Sequence, residues 1–166
     1  CLCGWHGDRD HGCRCSISQR QRYWQRLSGP LLDRLDLQLR LERSSAREMA
    51  AVLKQPRQTQ ASASWCKPAL IERARQRMQR RNPNGASNGR LSAAALQQSG
   101  AIEATALELW EQLINQRGLS TSSRLQLLRV ARTIADLNDR TSVDRNAIAE
   151  ASCFRCTDLL KQPGAQ

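Results

Sequence analysis

The chain is organised around the segment Leu31-Leu32-Asp33-Arg34-Leu35-Asp36-Leu37. It follows the turn-forming residues Ser28-Gly29-Pro30, and from Leu35 to Leu41 a leucine occupies every second position. This alternation predicts a strand over Leu35–Leu41, preceded by a short helical turn. Arg34 then lies at the junction between turn and strand, where its rigid fork of donors suits a phosphate group. The alternative is a structural ion pair between Asp33 and Arg34, because surface ion pairs are common and weak.

Two sequence motifs carry a resemblance to a protein family. Residues 28–37, Ser-Gly-Pro-Leu-Leu-Asp-Arg-Leu-Asp-Leu, resemble the arginine-finger segment of AAA+ ATPases of the magnesium-chelatase and MCM-like branch. Residues 128–137, Leu-Arg-Val-Ala-Arg-Thr-Ile-Ala-Asp-Leu, are similar to the lid-helix signature of magnesium-chelatase-like proteins of the competence (ComM/YifB) type. The magnesium-chelatase subunit itself is the alternative within the same family.

The resemblance implies a mainly α-helical chain that forms the carboxy-terminal portion of such an ATPase. Residues 1–54 would be the end of the α/β nucleotide-binding core, with a cysteine-rich knuckle, a helix and one strand. Residues 65–166 would be the all-helical lid domain. Residues 55–64 are polar, contain one proline and show no apolar period, so they predict a linker between the two.

The resemblance also implies roles for individual arginines. Arg34 would be the arginine finger, which reaches the ATP site of the neighbouring subunit in a hexameric, ATP-driven DNA motor. A second arginine, called sensor 2, often lies in a Ser-Ala-Arg sequence on the lid, where this chain has Ser120-Thr121-Ser122. That departure leaves Arg124 and Arg129 as the candidates for contact with the subunit's own nucleotide.

The 166 residues contain no G-x-x-x-x-G-K-[ST] phosphate loop and no apolar strand that ends in Asp-Glu. ATP and magnesium are therefore implied only for a full-length family protein, and we expect no ATP hydrolysis by this chain alone. Because the first residue is Cys, we expect a fragment or a truncated reading frame. A non-enzymatic, zinc-stabilised nucleic-acid-binding module and an inactive remnant remain as alternative functions.

Composition agrees with a helical, basic protein. Only one Phe and one Tyr are present, so the core must consist of smaller aliphatic residues, which favours helices over a large sheet. The net charge of +11 predicts attraction to polyanions, of which nucleic acid is the foremost candidate. No apolar run has the roughly 18 residues of a membrane span and no signal peptide is evident, so we expect a cytoplasmic protein without a membrane partner.

Four cysteines lie within the first fifteen residues as the pairs Cys1-x-Cys3 and Cys13-x-Cys15. Close pairs joined by a glycine-containing loop are typical of a metal knuckle, and thiolates select tetrahedral zinc. His6 or His11 could replace one sulfur ligand. The alternatives are disulfide bonds, which a reducing compartment disfavours, and unreactive thiols. Four protein ligands leave no open position for water, so the zinc would be structural.

The segment Ala69–Arg81 predicts a strongly basic helix. Its arginines are Arg73, Arg75, Arg77, Arg80 and Arg81, with a single acid, Glu72. One interpretation is contact with DNA phosphates, and the other is a solvated outer face of the lid. Further helices are predicted from about Ile102 to Gly118, over Arg124–Leu137 as the central lid helix, and over Val143–Phe154 with Ser142 as N-cap. Cys153 and Cys156 have metal-like spacing but no second pair nearby.

Overall fold

The computed structural model describes residues 1–8, 11–39, 41, 44–54, 68–99 and 101–155, and these residues are mainly helical. The fold class predicted from sequence is confirmed in this respect. The helices are α1 (Ile17–Trp24), α2 (Gly29–Asp33), α3 (Ala46–Lys54), α4 (Pro68–Arg81), α5 (Ala93–Gln98), α6 (Ala104–Arg117), α7 (Thr121–Leu137) and α8 (Arg145–Cys153). Short 3-10 turns span Pro83–Gly85 and Asn88–Arg90. None of the helices in these described ranges is long and apolar enough to cross a membrane.

The hydrophobic core lies between α6, α7 and α8. It consists of small and medium aliphatic side chains, as the scarcity of aromatic residues requires. Its buried members are Ala106, Leu113, Ile114, Leu119, Leu127, Ala131, Ile134, Ala135, Val143, Ala147, Ile148 and Ala151. Helix α7 packs against α8 and also against α4, α5 and the Asn88–Arg90 turn. It is therefore the central helix of the lid, as the sequence predicted.

Local signals set the ends of these helices. Gly118 ends α6 in the left-handed conformation with φ of 60°, which glycine adopts without steric cost. Ser120 then caps α7 by accepting a hydrogen bond from the Ser123 N–H. The predicted N-cap of α8, Ser142, is wrong: Asp144 caps this helix, whereas the Ser142 hydroxyl donates to Glu103. Asp144 immediately precedes the first helical residue, Arg145, so its carboxylate reaches the free N–H of Ala147.

The strand predicted over Leu35–Leu41 is not formed in its described residues, 35–39 and 41. A strand needs a partner, and the backbone bond found here, from the Gln38 N–H to the Phe154 carbonyl at 2.7 Å, joins it to the end of a helix. Its buried residue is polar, and its leucines are exposed. Gln38 is 9% exposed, whereas Leu37 and Leu39 are 56% and 63% exposed. The leucine alternation therefore faces solvent.

Helices α1 and α3 lie outside this core. Neither of them has a buried residue. Helix α2 contributes Leu32 as its single buried residue. Few apolar contacts therefore set the position of the segment that carries Arg34.

Candidate functional site

Arg34 is the C-cap residue of α2, immediately after the last helical residue. The helix begins at its N-cap Ser28, whose hydroxyl accepts the Leu31 N–H, and Pro30 fits the first turn because its missing N–H is not needed there. At the other end, the Arg34 N–H bonds to the carbonyls of Leu31 and Leu32. The Arg34 side chain is exposed, and no hydrogen bond or ion pair holds its guanidinium group within the described part of the chain. Its backbone is fixed while its charged group is available.

The alternative interpretation, an ion pair between Asp33 and Arg34, is not found in the described residues. Asp33 instead accepts hydrogen bonds from the hydroxyls of Ser120 and Ser123 in the first turn of α7. These two bonds lower the pKa of the Asp33 carboxyl against the opposing effect of burial, and the charge of Arg155 lowers it further. Asp33 thus anchors α2 to the lid helix and leaves Arg34 unpaired.

The two candidates for sensor 2 differ in how many of their guanidinium nitrogens donate hydrogen bonds. Arg129 donates from both Nε and Nη2 to the Leu91 carbonyl, at 2.8 and 2.6 Å. Arg124 is exposed and donates only from Nε, to the Leu119 carbonyl at 2.9 Å. The terminal nitrogens of Arg124 therefore have no partner within the described residues. Arg129 holds the Asn88–Arg90 turn against α7, whereas Arg124 retains donors for an added anion.

The four amino-terminal cysteines come together as their spacing predicted. Their Sγ atoms all lie within 4.8 Å of one another, with Cys1 to Cys3 and Cys3 to Cys13 at 3.5 Å and Cys1 to Cys13 at 3.7 Å. A zinc–sulfur bond of about 2.3 Å in a tetrahedron requires sulfur atoms about 3.8 Å apart. The thiol set, which includes Cys15, therefore has the spacing of a four-thiolate zinc site, and none of these cysteines forms a disulfide.

The surrounding backbone favours the thiolate form. The His6 N–H points at Cys1 Sγ, 3.3 Å away. A backbone hydrogen bond at Trp5 lowers the pKa of Cys3 to about 6, and this effect outweighs burial, which acts in the opposite direction. The Cys3 thiolate, the ligand form, is then accessible at neutral pH. A backbone hydrogen bond at Cys15 also acts to lower the pKa of Cys13, but burial and the neighbouring Cys3 and Cys15 outweigh it, so the pKa of Cys13 is raised instead.

Neither histidine belongs to the cysteine cluster. His6 Nδ1 lies 3.0 Å from Arg20 Nη1, and the His11 ring stacks on Trp5 with centroids 4.2 Å apart. Of the Cys153 and Cys156 pair, Cys156 lies outside the described residues, and Cys153 Sγ donates to the Ala149 carbonyl.

The five arginines of α4 fall into two groups. Arg73, Arg75 and Arg80 are exposed and make no hydrogen bond or ion pair within the described ranges. Arg77 donates to the Asp136 carbonyl at 2.6 Å and pairs with Asp139. Arg81 forms a two-pronged ion pair with the Asp136 carboxylate, at 2.5 and 2.8 Å. The second group holds α4 against α7, so the first group forms the available basic surface.

Two family models match this chain. Residues 60–155 match the model described as magnesium chelatase, subunit ChlI C-terminal, and residues 1–49 match the model described as magnesium chelatase, subunit ChlI. The chain belongs to the magnesium-chelatase family. This result confirms the resemblance that residues 28–37 and 128–137 carry.

Relatives in this family include proteins of three bacteria. YifB of Salmonella typhimurium is 33% identical over 147 residues, which cover 89% of this chain and 28% of the relative. Rv2897c of Mycobacterium tuberculosis is 32% identical over 146 residues, 87% of this chain and 28% of the relative. The competence protein ComM of Haemophilus influenzae is 28% identical over 152 residues, 90% of this chain. The chain thus spans about 28% of the length of each of these curated relatives.

The structure explains why α7 carries charged residues within an apolar sequence. Arg132 and Asp136 are buried and bond to each other at 3.0 Å, one turn apart on α7. Asp136 also accepts from Asn88 at 2.7 Å, and the Asn88 amide oxygen accepts from Arg81 and from buried Asn82. Sequence analysis missed this network. The i, i+4 spacing of Arg132 and Asp136 on the core side of the helix was its detectable signal.

Two further functional candidates were missed because their partners are distant in sequence. Gln126 donates from Nε2 to the Arg34 carbonyl at 3.2 Å, across 92 residues. Arg155 donates to the Leu35 carbonyl at 2.9 Å, across 120 residues. Both side chains are buried and both contact the backbone beside the predicted finger. No motif in the sequence marks either of them.

Proposed function

We propose that this chain supplies the arginine finger and the helical lid of a magnesium-chelatase-like ATPase, which works as a hexameric motor on DNA. Arg34 is the finger and acts on the nucleotide of the neighbouring subunit. The observation that carries the proposal is the exposed, unpaired Arg34 guanidinium on an anchored backbone. In phosphoryl transfer, positioning and charge neutralisation supply most of the catalysis, and a fixed arginine with free donors suits that task.

For the subunit's own nucleotide, we propose Arg124 in preference to Arg129 as sensor 2. Arg124 follows Ser120-Thr121-Ser122 by half a turn and lies in the first turn of α7. Its uncommitted terminal nitrogens and the positive end of the helix dipole both favour an anion there. Arg129 would have to release the Leu91 carbonyl before it could bind a phosphate.

The DNA proposal rests on the exposed arginines of α4 and on the net charge of +11. Arg73, Arg75 and Arg80 would contact phosphates without reading base sequence. Arg77 and Arg81 would keep α4 in place. The Haemophilus relative is a competence protein, which supports DNA as the polymer.

We also propose that Cys1, Cys3, Cys13 and Cys15 bind one structural zinc ion. A bound zinc ion would cross-link the Cys1–Cys3 and Cys13–Cys15 segments. It would not be catalytic, since thiolates would occupy all four tetrahedral positions. The site lies directly before α1, whose N-cap Ser16 follows Cys15. Zinc would therefore fix the start of the helix that leads to α2 and Arg34.

The decisive experiment measures ATP hydrolysis by a full-length family protein that carries this chain. Arg34→Ala should lower turnover by a factor on the order of 10³–10⁵, or roughly 4–7 kcal/mol of barrier, and leave ATP affinity nearly unchanged. Arg47→Ala, at an exposed arginine of α3, is the matched control and should have little effect.

A mixing experiment tests action between subunits. Arg34→Ala subunits combined with subunits defective in their own phosphate loop should regain activity only where an intact loop meets an intact Arg34. Turnover by Arg34→Ala near the parent rate would refute the finger. The non-enzymatic nucleic-acid module or the inactive remnant would then be the better description.

A further inference from the structure

A set of polar contacts joins the Arg34 segment to the lid of the same chain. At the amino-terminal end of α7, the hydroxyls of Ser120 and Ser123 donate to the Asp33 carboxylate. Less than one turn beyond Ser123, the buried Gln126 side chain bridges the segment and the end of α8. Its Nε2 donates to the Arg34 carbonyl at 3.2 Å, and its Oε1 accepts from Arg155.

Arg155 completes the connection from the other side. This arginine is buried, and its Nη1 donates to the Leu35 carbonyl at 2.9 Å. Gln38 closes the segment on itself and on α8: its Nε2 donates to the Leu32 carbonyl at 2.8 Å, and its N–H donates to the Phe154 carbonyl at 2.7 Å. The carbonyls of two consecutive residues, 34 and 35, are thus held by side chains of the lid.

Apolar packing does not explain the position of this segment. Leu32 is its one buried apolar side chain among residues 28–37, whereas Leu31, Leu35 and Leu37 are exposed. Burial of the Arg155 guanidinium is costly unless its hydrogen bonds to the Leu35 carbonyl and the Gln126 amide oxygen are kept. These bonds therefore restrict where the segment can lie. The Arg34 guanidinium takes no part in them.

We propose that Gln126 and Arg155 are positioning residues that fix Arg34 against the lid helix of its own subunit. The inference rests on the proposed finger role of Arg34 and deepens it. The finger would project toward the neighbouring nucleotide from a backbone whose placement α7 determines. A change in the orientation of the lid would then move the finger. The lid of one subunit would thereby control ATP hydrolysis in the neighbouring subunit.

Trypsin provides a direct probe in the 166-residue chain, because it cleaves after Arg34. The Arg34 carbonyl belongs to the scissile bond, and cleavage requires the segment to leave α7. Gln126→Glu retains an oxygen acceptor for Arg155 but removes the donor to the Arg34 carbonyl. Cleavage after Arg34 should accelerate about fivefold to tenfold, the factor expected for one lost hydrogen bond. Gln112→Glu, at an exposed glutamine of α6, is the matched control and should leave the rate unchanged.

Asp33→Asn is the second variant and covers the case in which Gln126→Glu weakens the lid itself. It leaves α7 unaltered and should also accelerate cleavage after Arg34, while cleavage after Arg47 and the thermal midpoint stay near the parent values. Rates equal to the parent in both variants would overturn the inference.

A double-mutant cycle in the full-length ATPase separates positioning from general stability. Gln126→Glu should lower kcat with the KM for ATP unchanged, and should cause no further loss once Arg34 is alanine. A further loss in that background would overturn the inference. If Arg34→Ala alone hydrolyses ATP at the parent rate, the proposed function fails, and the trypsin result alone decides whether lid residues hold this segment.

Discussion

Replacing Asp136 with asparagine should destabilise the helical lid strongly, although it changes side-chain volume very little. Asp136 is 0% exposed and accepts four hydrogen bonds of 2.5–3.0 Å from Arg81, Arg132 and Asn88. Arg132 is itself 1% exposed. The substitution therefore leaves two guanidinium groups in place and removes the carboxylate that neutralises them.

The expected magnitude follows from this burial. Removing one partner of a buried ion pair costs about 3–5 kcal/mol, because the remaining charge stays uncompensated. Whole domains have unfolding free energies of about 5–15 kcal/mol, so the loss is a large fraction of the total. The thermal midpoint of a domain of about 60–100 residues shifts by about 4–8 °C per kcal/mol, so the midpoint of the helical lid should fall by at least about 12 °C.

The assay is urea denaturation followed by far-ultraviolet circular dichroism, with Asp139→Asn as the matched control. Asp139 pairs with Arg77, but both side chains are partly exposed, at 47% and 34%. Such a pair contributes about 1 kcal/mol or less, and salt screens it. Asparagine also tolerates the left-handed backbone of Asp139, whose φ is 60°. The control should therefore lose little stability, and that loss should shrink in salt.

Acid provides a second readout for the same variant. Burial acts to raise the pKa of Asp136, but hydrogen bonds from Arg81 and Asn88 and the charges of Arg132 and Arg81 outweigh it, so the pKa is lowered. A lowered folded-state pKa gives stability that is complete above the unfolded value and lost as pH falls through the folded one. The difference between parent and variant should thus be constant near neutrality and shrink in acid. A difference below about 1 kcal/mol at pH 7 would refute the reasoning, because it would mean that the buried cations do not need this counter-ion.

Two further predictions concern zinc and DNA. The purified chain should contain one equivalent of zinc, and metal analysis that finds less than about half an equivalent would contradict the site. The Cys13→Ser variant should lose the zinc but retain the helical circular-dichroism signal, since the α6–α8 core includes no cysteine of the cluster. Changing Arg73, Arg75 and Arg80 to glutamine should reduce the salt dependence of duplex binding by up to about 2.7 log units per log unit of salt, and binding that is insensitive to salt would count against phosphate contact.

The helices of the lid could be predicted from sequence because their signals are local. Apolar residues at three-to-four spacing predicted α6 and α7, and Gly118 and Ser120 marked the turn between them. The four cysteines could also be grouped correctly, since two close pairs joined by a short loop have few other arrangements. Each of these inferences needed only residues that are near one another in the chain.

The strand prediction was wrong because alternating apolar residues indicate that a segment could form a strand but do not show that a second strand is there to pair with it. The alternating leucines between residues 35 and 41 fit a strand, yet its described residues pair with no other strand. Gln38 is buried instead, because its amide reaches the Leu32 carbonyl and its N–H reaches α8. From sequence alone, a polar residue whose side chain donates a hydrogen bond to a turn carbonyl cannot be distinguished from one that faces solvent.

The arginines of α4 show the same limit for a binding surface. Sequence composition marked five arginines as equivalent, but Arg77 and Arg81 find acidic partners 62 and 55 residues away. Those partners become visible only after α4 packs on α7. Charge patterning alone can predict that a basic surface exists, whereas tertiary ion pairs determine which of its side chains remain available.

Helix α7 connects the features that the proposed function requires. At its amino-terminal end it contacts the Arg34 segment through Ser120, Ser123 and Gln126, and near its carboxy-terminal end Asp136 binds the basic helix α4. Its 17 residues span about 25 Å and its middle lies in the core. In the proposed function, a load that DNA applies to α4 would reach the Arg34 backbone through the contacts that α7 makes with both. If the proposed function holds, the polar contacts at the two ends of α7 would couple DNA contact at α4 to ATP hydrolysis at Arg34.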